Sequence, residues 1–438
     1  MMNRLRCPIL IVCATIALVA ALRAEAPRIF AITGARLVTA AGPAIESGTI
    51  VVRNGLIESV GATVKAPADA WVIDGKGLTV YPGLIDMGTT VPVDVPRATP
   101  PAPVSSTEQV ERWKRGVIFR PGFAAAEHIK TDSADVAAFA AAGITSVLAI
   151  PDGTVLPGRS ALINARPPDD EPQIGAQADV RDGLLVVKAP VALHVVFSGP
   201  GPGGGYPNSL MGIIAYVRQA FLDAQYGRAA AQAYARHPGG QERPLPDPGL
   251  EALLPALDGT LPVAFAAQED REIRRALKMA AEFKLDPIIV GGLEADQAAA
   301  EIKAASARVI YSLNVPTRPK TLAPDADEPI RVLRQRAAAL KTPAALERAG
   351  IAFAFQSGGL KDPKDFLKNA AKAVKEGLPS EAAIQALTIG AARIAGAADR
   401  IGSLEPGKIA NVIVTSGDLF ADSTTITHVL VDGRLVRR

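Results

Sequence analysis

The central part of the sequence alternates between short apolar runs and longer segments in which apolar residues recur at helical spacing. Residues 262–266 form an apolar run that precedes a helical pattern at 270–283, and residues 287–290 precede another helical pattern near 295–306. Strands that alternate with helices in this way are typical of βα units arranged around a parallel sheet. The pattern therefore predicts an α/β fold in which helices cover a largely parallel set of strands.

Both ends of the sequence have a different pattern, with short β-branched runs separated by glycine. Asn54-Gly55 joins two such runs near the amino terminus, and Asp432-Gly433 joins two more near the carboxyl terminus. Both dipeptides favour tight hairpins, because their residues tolerate positive φ. Neither end carries enough apolar surface to fold alone, so we predict that residues 27–80 and 400–438 together form a composite β-sandwich domain.

The first residues have the composition of an export signal. Arg4 and Arg6 precede an apolar run at 8–22, and small residues follow that run. This run is short for a membrane span, so we predict a signal peptide at 1–24 and export to the periplasm or beyond, with an uncleaved anchor as the alternative. Both cysteines lie inside this segment, which leaves the mature chain without disulfides or thiolate ligands.

Length and charge exclude some classes of protein. The chain has 438 residues, enough for one barrel and a small accessory domain. Its 47 basic and 44 acidic side chains give a net charge of only +3. This balance, without a basic stripe that contains aromatic residues, argues against a nucleic-acid partner.

Two stretches do not fit the alternating pattern. Residues 92–121 are rich in proline and serine, and we predict a loop over one end of the barrel. Residues 198–208 contain a run of glycine and proline that is compatible either with an anion cradle built from backbone N–H groups or with a flexible connection. The sequence alone leaves these two alternatives open.

Two groups of motifs resemble the amidohydrolase superfamily, and specifically its imidazolonepropionase-like branch. Near the amino terminus, the sequences VIDG at 72–75 and PGLID at 82–86 are similar to the family's entry into its barrel. Near the carboxyl terminus, ALT at 386–388, the alanines at 391–392 and RIGSLEPGK at 400–408 resemble its closing signature. The resemblance implies a TIM-like (β/α)8 barrel at 81–399, flanked by a β-sandwich formed from both termini.

The resemblance also implies a chemistry. Active members hydrolyse non-peptide C–N bonds, often in cyclic amides, with one or two divalent metals, usually zinc. A bound metal lowers the pKa of its water from about 15.7 towards about 7, which supplies hydroxide at neutral pH. The family's metal ligands are a pair of histidines on strand one, a modified lysine on strand four, one histidine each on strands five and six, and an aspartate on strand eight.

This sequence departs from the family at each ligand position that can be placed. The residues at those positions are Gly88 and Thr90 on strand one, Ala266 on strand five, Gly291 on strand six and Gly358 after strand eight, with His194 near the lysine position of strand four. Glycine, alanine and a neutral threonine hydroxyl do not replace imidazole or carboxylate as ligands. We therefore expect no metal and no cofactor, although a rebuilt site remains an alternative.

A few residues could still carry chemistry. The chain has four histidines, and His194 is the one predicted near the barrel opening. His194 is either a remnant ligand or a neutral core histidine, and Asp86 is either a general base or a carboxylate that accepts backbone N–H bonds. These two are the only catalytic candidates. The predicted ligand pocket consists of Gly88, Thr90, His194, Ala266, Gln268, Gly291, Ser357 and Gly358, with Gln356 beside them.

Three functional hypotheses follow. The first is an exported pseudoenzyme that keeps the scaffold to bind a small amide-like ligand or a catalytically complete relative. The second is an active hydrolase of amide or cyclic-amide C–N bonds with an atypical site, and the third is a structural envelope protein. Association into a homo-oligomer stays open under all three. No serine-hydrolase elbow or zinc-protease helix offers another chemistry.

Overall fold

A computed structural model describes most of the chain. The described residues are 29–96, 99–100, 102–103, 106–130, 134–166, 179–181, 184–199, 206–240, 242–323 and 325–436. The predicted signal peptide and the middle of the glycine-rich segment lie outside these ranges. Within them, every helix is too short or too polar to span a bilayer.

The described part of the chain contains strands and helices in alternation. The strands are β1 (Ile29–Leu37), β2 (Ile45–Arg53), β3 (Leu56–Gly61), β4 (Trp71–Asp74), β5 (Thr79–Pro82), β6 (Leu84–Thr89), β7 (Ile144–Ala149), β8 (Val155–Arg159), β9 (Ala161–Asn164), β10 (Asp179–Arg181), β11 (Leu184–Lys188), β12 (Leu193–Val196), β13 (Val263–Ala267), β14 (Pro287–Gly291), β15 (Arg308–Ser312), β16 (Phe353–Gln356), β17 (Val412–Thr415), β18 (Ile426–Val431) and β19 (Arg434–Val436). The α-helices are Thr107–Ile118, Ala134–Ala141, Leu210–Arg236, Pro248–Glu251, Leu254–Leu257, Asp270–Phe283, Ala299–Ala304, Ile330–Ala339, Thr342–Arg348, Lys364–Lys375, Ser380–Leu387 and Ile389–Ile394. Short 3₁₀ turns occur at Ala125–Glu127 and Ala295–Ala298.

The strands of the two termini lie in one sheet. Its order is β19-β18-β17-β5-β1-β2-β3, and β4 pairs with β1. The carboxyl-terminal strand β17 pairs antiparallel with β5, which lies in the amino-terminal part of the chain. The predicted hairpin at Asn54-Gly55 is confirmed, with φ of 51° and 81°, and so is the hairpin at Asp432-Gly433, with φ of 53° and 72°.

The strands from β6 to β16, apart from β10 and β11, form a ring. Strands β12 to β16 pair in parallel in chain order, and β6 pairs in parallel with β7. The segment β8–β9 links these two groups, because β8 pairs with β12 and β9 pairs with β7. On the other side, β16 contacts β6. This arrangement of strands and covering helices confirms the predicted α/β fold class.

One part of the ring differs from an all-parallel barrel. Both β8 and β9 are antiparallel to the strands beside them. Strand β9 also pairs with β11, which pairs with β10, so this part of the chain continues into an antiparallel extension of the sheet. The family pattern predicts a parallel strand followed by a helix in this region, and the chain has a run of short antiparallel strands instead.

Two other predictions about local structure are wrong. The predicted loop at 92–121 contains the helix Thr107–Ile118, whose first turn is capped by the Ser106 side chain accepting from Gln109 N. The sequence from Ser380 to Gly396 also predicts one continuous helix with Ser380 as its cap. That helix is broken at Thr388, which has φ of −134° and ψ of −106°. Ser380 is not a cap either, since it lies inside the helix and makes no side-chain cap hydrogen bond.

The two faces of the ring strands bury different apolar clusters. Leu193, Val263 and Phe265 pack with Val217 and Phe221 of the helix Leu210–Arg236. A separate cluster contains one residue from each of β13 to β16, at the positions whose side chains point away from the first cluster: Ala264, Ile288, Ile310 and Ala354. Since successive side chains of a strand point to opposite faces, this second cluster lies inside the ring.

A buried polar network joins the ring to the terminal sheet. Ser146 Oγ donates to Asn164 Oδ1 at 2.7 Å, and Asn411 Nδ2 donates to the same oxygen at 2.9 Å. Asn164 Nδ2 donates to Asp432 Oδ1 at 2.5 Å, and Arg166 Nε lies 3.9 Å from Asp432 Oδ2. All five residues are buried. The network therefore holds the β18–β19 hairpin against β7 and β9 through polar contacts that exclude water.

Candidate functional site

The predicted ligand-pocket residues lie where the ring strands end. Ala266 is the fourth residue of β13, and Gly291 is the last residue of β14. Gly88 lies near the end of β6, with Thr90 exposed just after the strand. Gly358 follows the end of β16 by two residues. The carboxyl ends of parallel strands carry the active site in barrel enzymes, so the predicted positions lie at the face where that chemistry occurs.

The space beside Gly88 is filled by a glutamine. A Cβ atom at Gly88 would overlap with Oε1 of Gln356, and it would lie 3.2 Å from the Cβ of Gln356. Gln356 is buried and is the last residue of β16, the strand that contacts β6. A neutral amide from the neighbouring strand therefore occupies the place into which a strand-one side chain would extend.

Two other glycines at this face have the same relation to a polar neighbour. A Cβ at Gly291 would lie 2.5 Å from three side-chain atoms of Gln268. A Cβ at Gly358 would overlap with Oγ of Ser312, and both glycines have positive φ, 109° and 58°. Asn314 Nδ2 donates to Gly358 O at 3.0 Å, which ties the segment after β16 to the segment after β15. At these positions both the conformation and the neighbouring side chain disfavour a residue larger than glycine.

Asp86 is a buried carboxyl group held by backbone donors. Its Oδ1 accepts from Gly88 N at 3.0 Å and from Ser357 N at 2.8 Å. Among the described residues its Oδ2 has no hydrogen-bond partner. Burial raises the pKa of Asp86 to about 6, and the hydrogen bonds from Ser357 and Gly88 oppose that shift only in part. Oδ1 of Asp86 therefore links the ends of β6 and β16, and Oδ2 remains able to accept a further hydrogen bond.

His194 is the second buried ionisable group of the site. It lies on β12 opposite Ala264 of β13, and the alternation of side chains along β12 places it inside the ring. The part of the chain that the structure describes offers no hydrogen-bond partner to its Nε2. Burial lowers the pKa of His194 to about 4, because the charged imidazolium is poorly solvated there. His194 is therefore a neutral interior histidine near pH 7.

The depressed pKa of His194 predicts a loss of stability in acid. Between its ordinary value of 6.5 and about 4, the unfolded chain binds a proton that the folded chain does not. This difference lowers the free energy of unfolding by about 3 kcal/mol as the pH falls through that window. We expect the stability of His194→Gln to improve by about that amount relative to the parent between pH 7 and pH 4.

Urea unfolding of both proteins at several pH values measures this difference. The comparison with the parent is needed because the raised pKa of Asp86 acts in the opposite direction: its contribution to stability is present in acid and is lost as the pH rises through about 6. That effect is common to both proteins and cancels. A difference between them that does not change with pH would mean that His194 titrates normally in the folded state.

The structure brings some of the predicted residues together and separates others. Ser357 contacts Asp86 through its N–H group and donates through Oγ to Gly88 O at 3.2 Å. Gln268 follows β13 and lies beside Gly291, and Gly291 is on β14, the second strand from the β12 strand that carries His194. Sequence reasoning missed Ser312 and Asn314. The sequence pattern that could have identified them is the pair of polar residues that ends the apolar run of β15.

The donor atoms at this face do not form a ligand set. Within the described ranges, no three side chains of histidine, cysteine, aspartate or glutamate lie close enough together to hold a metal ion. The site consists instead of neutral amides and hydroxyls, one carboxyl group and one imidazole. These groups can exchange hydrogen bonds with a polar ligand.

Comparison with known proteins identifies the fold. Residues 260–436 match the model of the Amidohydrolase family. No curated protein sequence matches the chain. The family match covers the part of the ring from β13 onwards and the carboxyl-terminal strands.

Solved structures extend the likeness to nearly the whole chain. An amidohydrolase from Thermotoga maritima MSB8 is 22% identical with a TM-score of 0.74, covering 93% of this chain and 100% of that one. A putative prolidase from Bifidobacterium longum is 18% identical with a TM-score of 0.51, covering 94% and 95%. A prolidase in complex with N-methylphosphonate-L-proline has 18% identity and a TM-score of 0.53, covering 94% and 100%. At these identities the likeness establishes the fold alone.

Proposed function

Because the chain has the amidohydrolase fold and matches the amidohydrolase family over residues 260–436, we propose that it is an exported relative of these hydrolases that has lost metal-dependent catalysis. In this proposal the opening of the ring binds a small polar ligand or a partner protein. The observation that carries it is the filling of the glycine positions by neutral side chains, most clearly Gly88 by Gln356.

The residues at the strand ends do not fit the metal that the family uses. A bound divalent metal would supply an activated water, and three protein ligands are typical of a catalytic zinc site. Here Gly88, Gly291 and Gly358 offer no ligand atom, and a side chain at any of them would meet Gln356, Gln268 or Ser312. Asp86 and His194 remain as donors, and two donors are fewer than such a site needs.

Ligand binding is supported by the chemistry that remains. Gln268, Asn314 and Gln356 each present a carboxamide, which can donate and accept hydrogen bonds at once. Oδ2 of Asp86 and Nε2 of His194 are buried, and neither has a hydrogen-bond partner among the described residues. An unsatisfied buried polar atom costs about 1–3 kcal/mol, so a ligand that satisfies one gains affinity. These groups suit a small amide-like molecule with both donors and acceptors.

One observation favours the second candidate, a hydrolase with an atypical site. The pKa of Asp86 is raised to about 6, and a carboxyl group that titrates near neutral pH is suited to act as a general base. Its two backbone hydrogen bonds give it a structural role as well. The experiment that separates the two candidates is a combined measurement of metal content and turnover.

We expect the purified mature protein to contain far less than one equivalent of zinc, manganese or iron, and to hydrolyse neither lactam nor imide substrates. The physical reason is that the positions of the metal ligands carry glycine and alanine, which donate no electron pair. Elemental analysis after chelation and gel filtration measures the metal, and product assays with and without added zinc measure turnover. An Asp86→Asn variant serves as the control for any residual activity.

Each outcome of this experiment decides between the candidates. Stoichiometric metal that resists chelation would disprove the loss of the metal site. Metal-free turnover that disappears in Asp86→Asn would support the atypical hydrolase. A shift in melting temperature with an amide-like compound, without turnover, would support the binding protein. Export is tested separately, by sequencing the amino terminus of the protein recovered from outside the cytoplasm.

A further inference from the structure

Two adjoining cavities lie at the end of the ring opposite the candidate site. Both are lined by Arg308, the first residue of β15, and by Arg393 and Ile394 at the end of the last ring helix. The larger cavity has a volume of about 370 Å³ and the smaller about 250 Å³. A volume of this size is at the lower end of the range for small-molecule sites.

The larger cavity is lined by cationic side chains. Lys188, Arg308 and Arg393 all line it, and its lining residues include no aspartate or glutamate. Neither Lys188 nor Arg393 makes a side-chain hydrogen bond or ion pair within the described part of the chain. These two residues come from distant parts of the sequence, since Lys188 ends β11 and Arg393 lies in the helix Ile389–Ile394. The fold therefore brings separate positive charges to one concave surface.

Glu347 lines the smaller cavity but not the larger one, and the other negative groups nearby are largely engaged elsewhere. Asp286 pairs with Arg308 at 2.5 Å and so neutralises one of the three cations. Glu405 is close enough to Arg393 to interact with it, but its main partners are Lys408, at 2.6 Å, and Ser403. The carboxyl end of the helix Ile389–Ile394 adds about half a negative charge. Lys188 and Arg393 therefore leave the lining of the larger cavity with a net positive charge, which Glu347 in the adjoining cavity reduces in part.

We propose that this cavity binds a small dianion, such as the phosphate group of a phosphate ester. Arginine and lysine donate charge-assisted hydrogen bonds to the oxygens of such a group, and arginine can do so with two parallel bonds. The proposal is independent of the pseudoenzyme proposal, because the cavity lies at the opposite end of the ring and shares no residue with the candidate site.

Binding of inorganic phosphate tests the proposal. Calorimetric titration of the full mature chain above pH 7.5, at constant ionic strength set with chloride, should give saturable binding with one site. Arg393→Gln and Lys188→Gln should each weaken that binding by about five- to tenfold, the effect of losing one partly solvated charge-assisted contact. Arg393 and Lys188 are exposed, so both variants should fold normally.

Arg334→Gln is the matched control, because Arg334 is an exposed arginine outside the cavity. This variant removes the same charge and should keep the phosphate affinity of the parent to within a factor of about two. An equal loss of affinity in Arg334→Gln would mean that phosphate responds only to net charge, and the proposal would be wrong. The absence of saturable phosphate binding to the parent protein would overturn it as well.

Discussion

Replacing Asp432 with asparagine is expected to lower the free energy of unfolding near pH 8 by about 1–3 kcal/mol, the cost typical of leaving a buried polar group without its partner. Asp432 and Arg166 both have side chains that are at most 2% exposed, with Arg166 Nε 3.9 Å from Asp432 Oδ2. The substitution leaves the buried guanidinium without the carboxylate it contacts.

Asparagine removes the charge of Asp432 and keeps nearly the same side-chain shape, so the substitution tests the charge alone. Asp432 has φ of 53°, a conformation that asparagine tolerates better than most residues, so the hairpin to Gly433 should persist. The asparagine oxygen can still accept from Asn164 Nδ2. Burial raises the pKa of Asp432 to about 6, so the measurement belongs near pH 8, where the carboxylate is charged. The loss should grow below pH 6, because a carboxyl group with a raised pKa stabilises the folded parent when it is protonated, and the asparagine variant has no such group.

Two further variants test this explanation. Asp422→Asn removes an exposed carboxylate that pairs with Lys375, and it should change stability by less than about 1 kcal/mol. Arg166→Met combined with Asp432→Asn removes both charges and should be more stable than Asp432→Asn alone. Urea unfolding monitored by circular dichroism measures all three. If the double variant is no more stable than Asp432→Asn, the lost charge contact between Arg166 and Asp432 is not the cause.

Local features of the fold could be predicted from the sequence. The hairpin at Asn54-Gly55 follows from the ability of these two residues to adopt positive φ, and the structure has it at that place. The helix Asp270–Phe283 agrees with its predicted bounds, because its first turn carries acidic residues and its apolar residues keep one face. In both cases the determining interactions lie within a few residues of each other.

The features that could not be predicted depend on contacts distant in sequence. The antiparallel direction of β8 and β9 is set by their pairing with β12 and β7, which no local pattern reports. The helix Thr107–Ile118 was not predicted, because the prolines that precede it favour a loop. The break at Thr388 coincides with its hydroxyl group donating to Ile384 O, a contact that competes with regular helical geometry.

The candidate site also has some features that the sequence shows and others that depend on contacts distant in sequence. The glycines at the positions where the family resemblance implies ligands could be read directly from the sequence, since glycine at 88 or 291 excludes a side-chain ligand wherever the strands lie. The side chain that occupies the space beside Gly88 could not be predicted from the sequence, because Gln356 is 268 positions away from Gly88. Only the contact between β6 and β16 brings them together.

We expect Gly88→Ala to destabilise the protein by about 1–3 kcal/mol, the usual cost of overfilling a packed interior. The added Cβ would overlap with Oε1 of Gln356 and would lie 3.2 Å from its Cβ, so this buried side chain would have to shift. The backbone itself does not forbid alanine, since Gly88 is not among the glycines with positive φ. Shortening the glutamine should therefore relieve the clash, and Gly88→Ala with Gln356→Ala should be more stable than the sum of the single changes predicts.

Gly291 provides the contrast that makes this cycle informative. Its φ is 109°, so Gly291→Ala is strained even after Gln268 is shortened, and Gln268→Ala should rescue it little. A double-mutant cycle in urea for each pair measures the two coupling energies, which we expect to be about 1–2 kcal/mol for Gly88 with Gln356 and smaller for Gly291 with Gln268. If Gly88→Ala is tolerated without coupling to Gln356, the space beside Gly88 is open, and the filling of that space by Gln356 has to be abandoned.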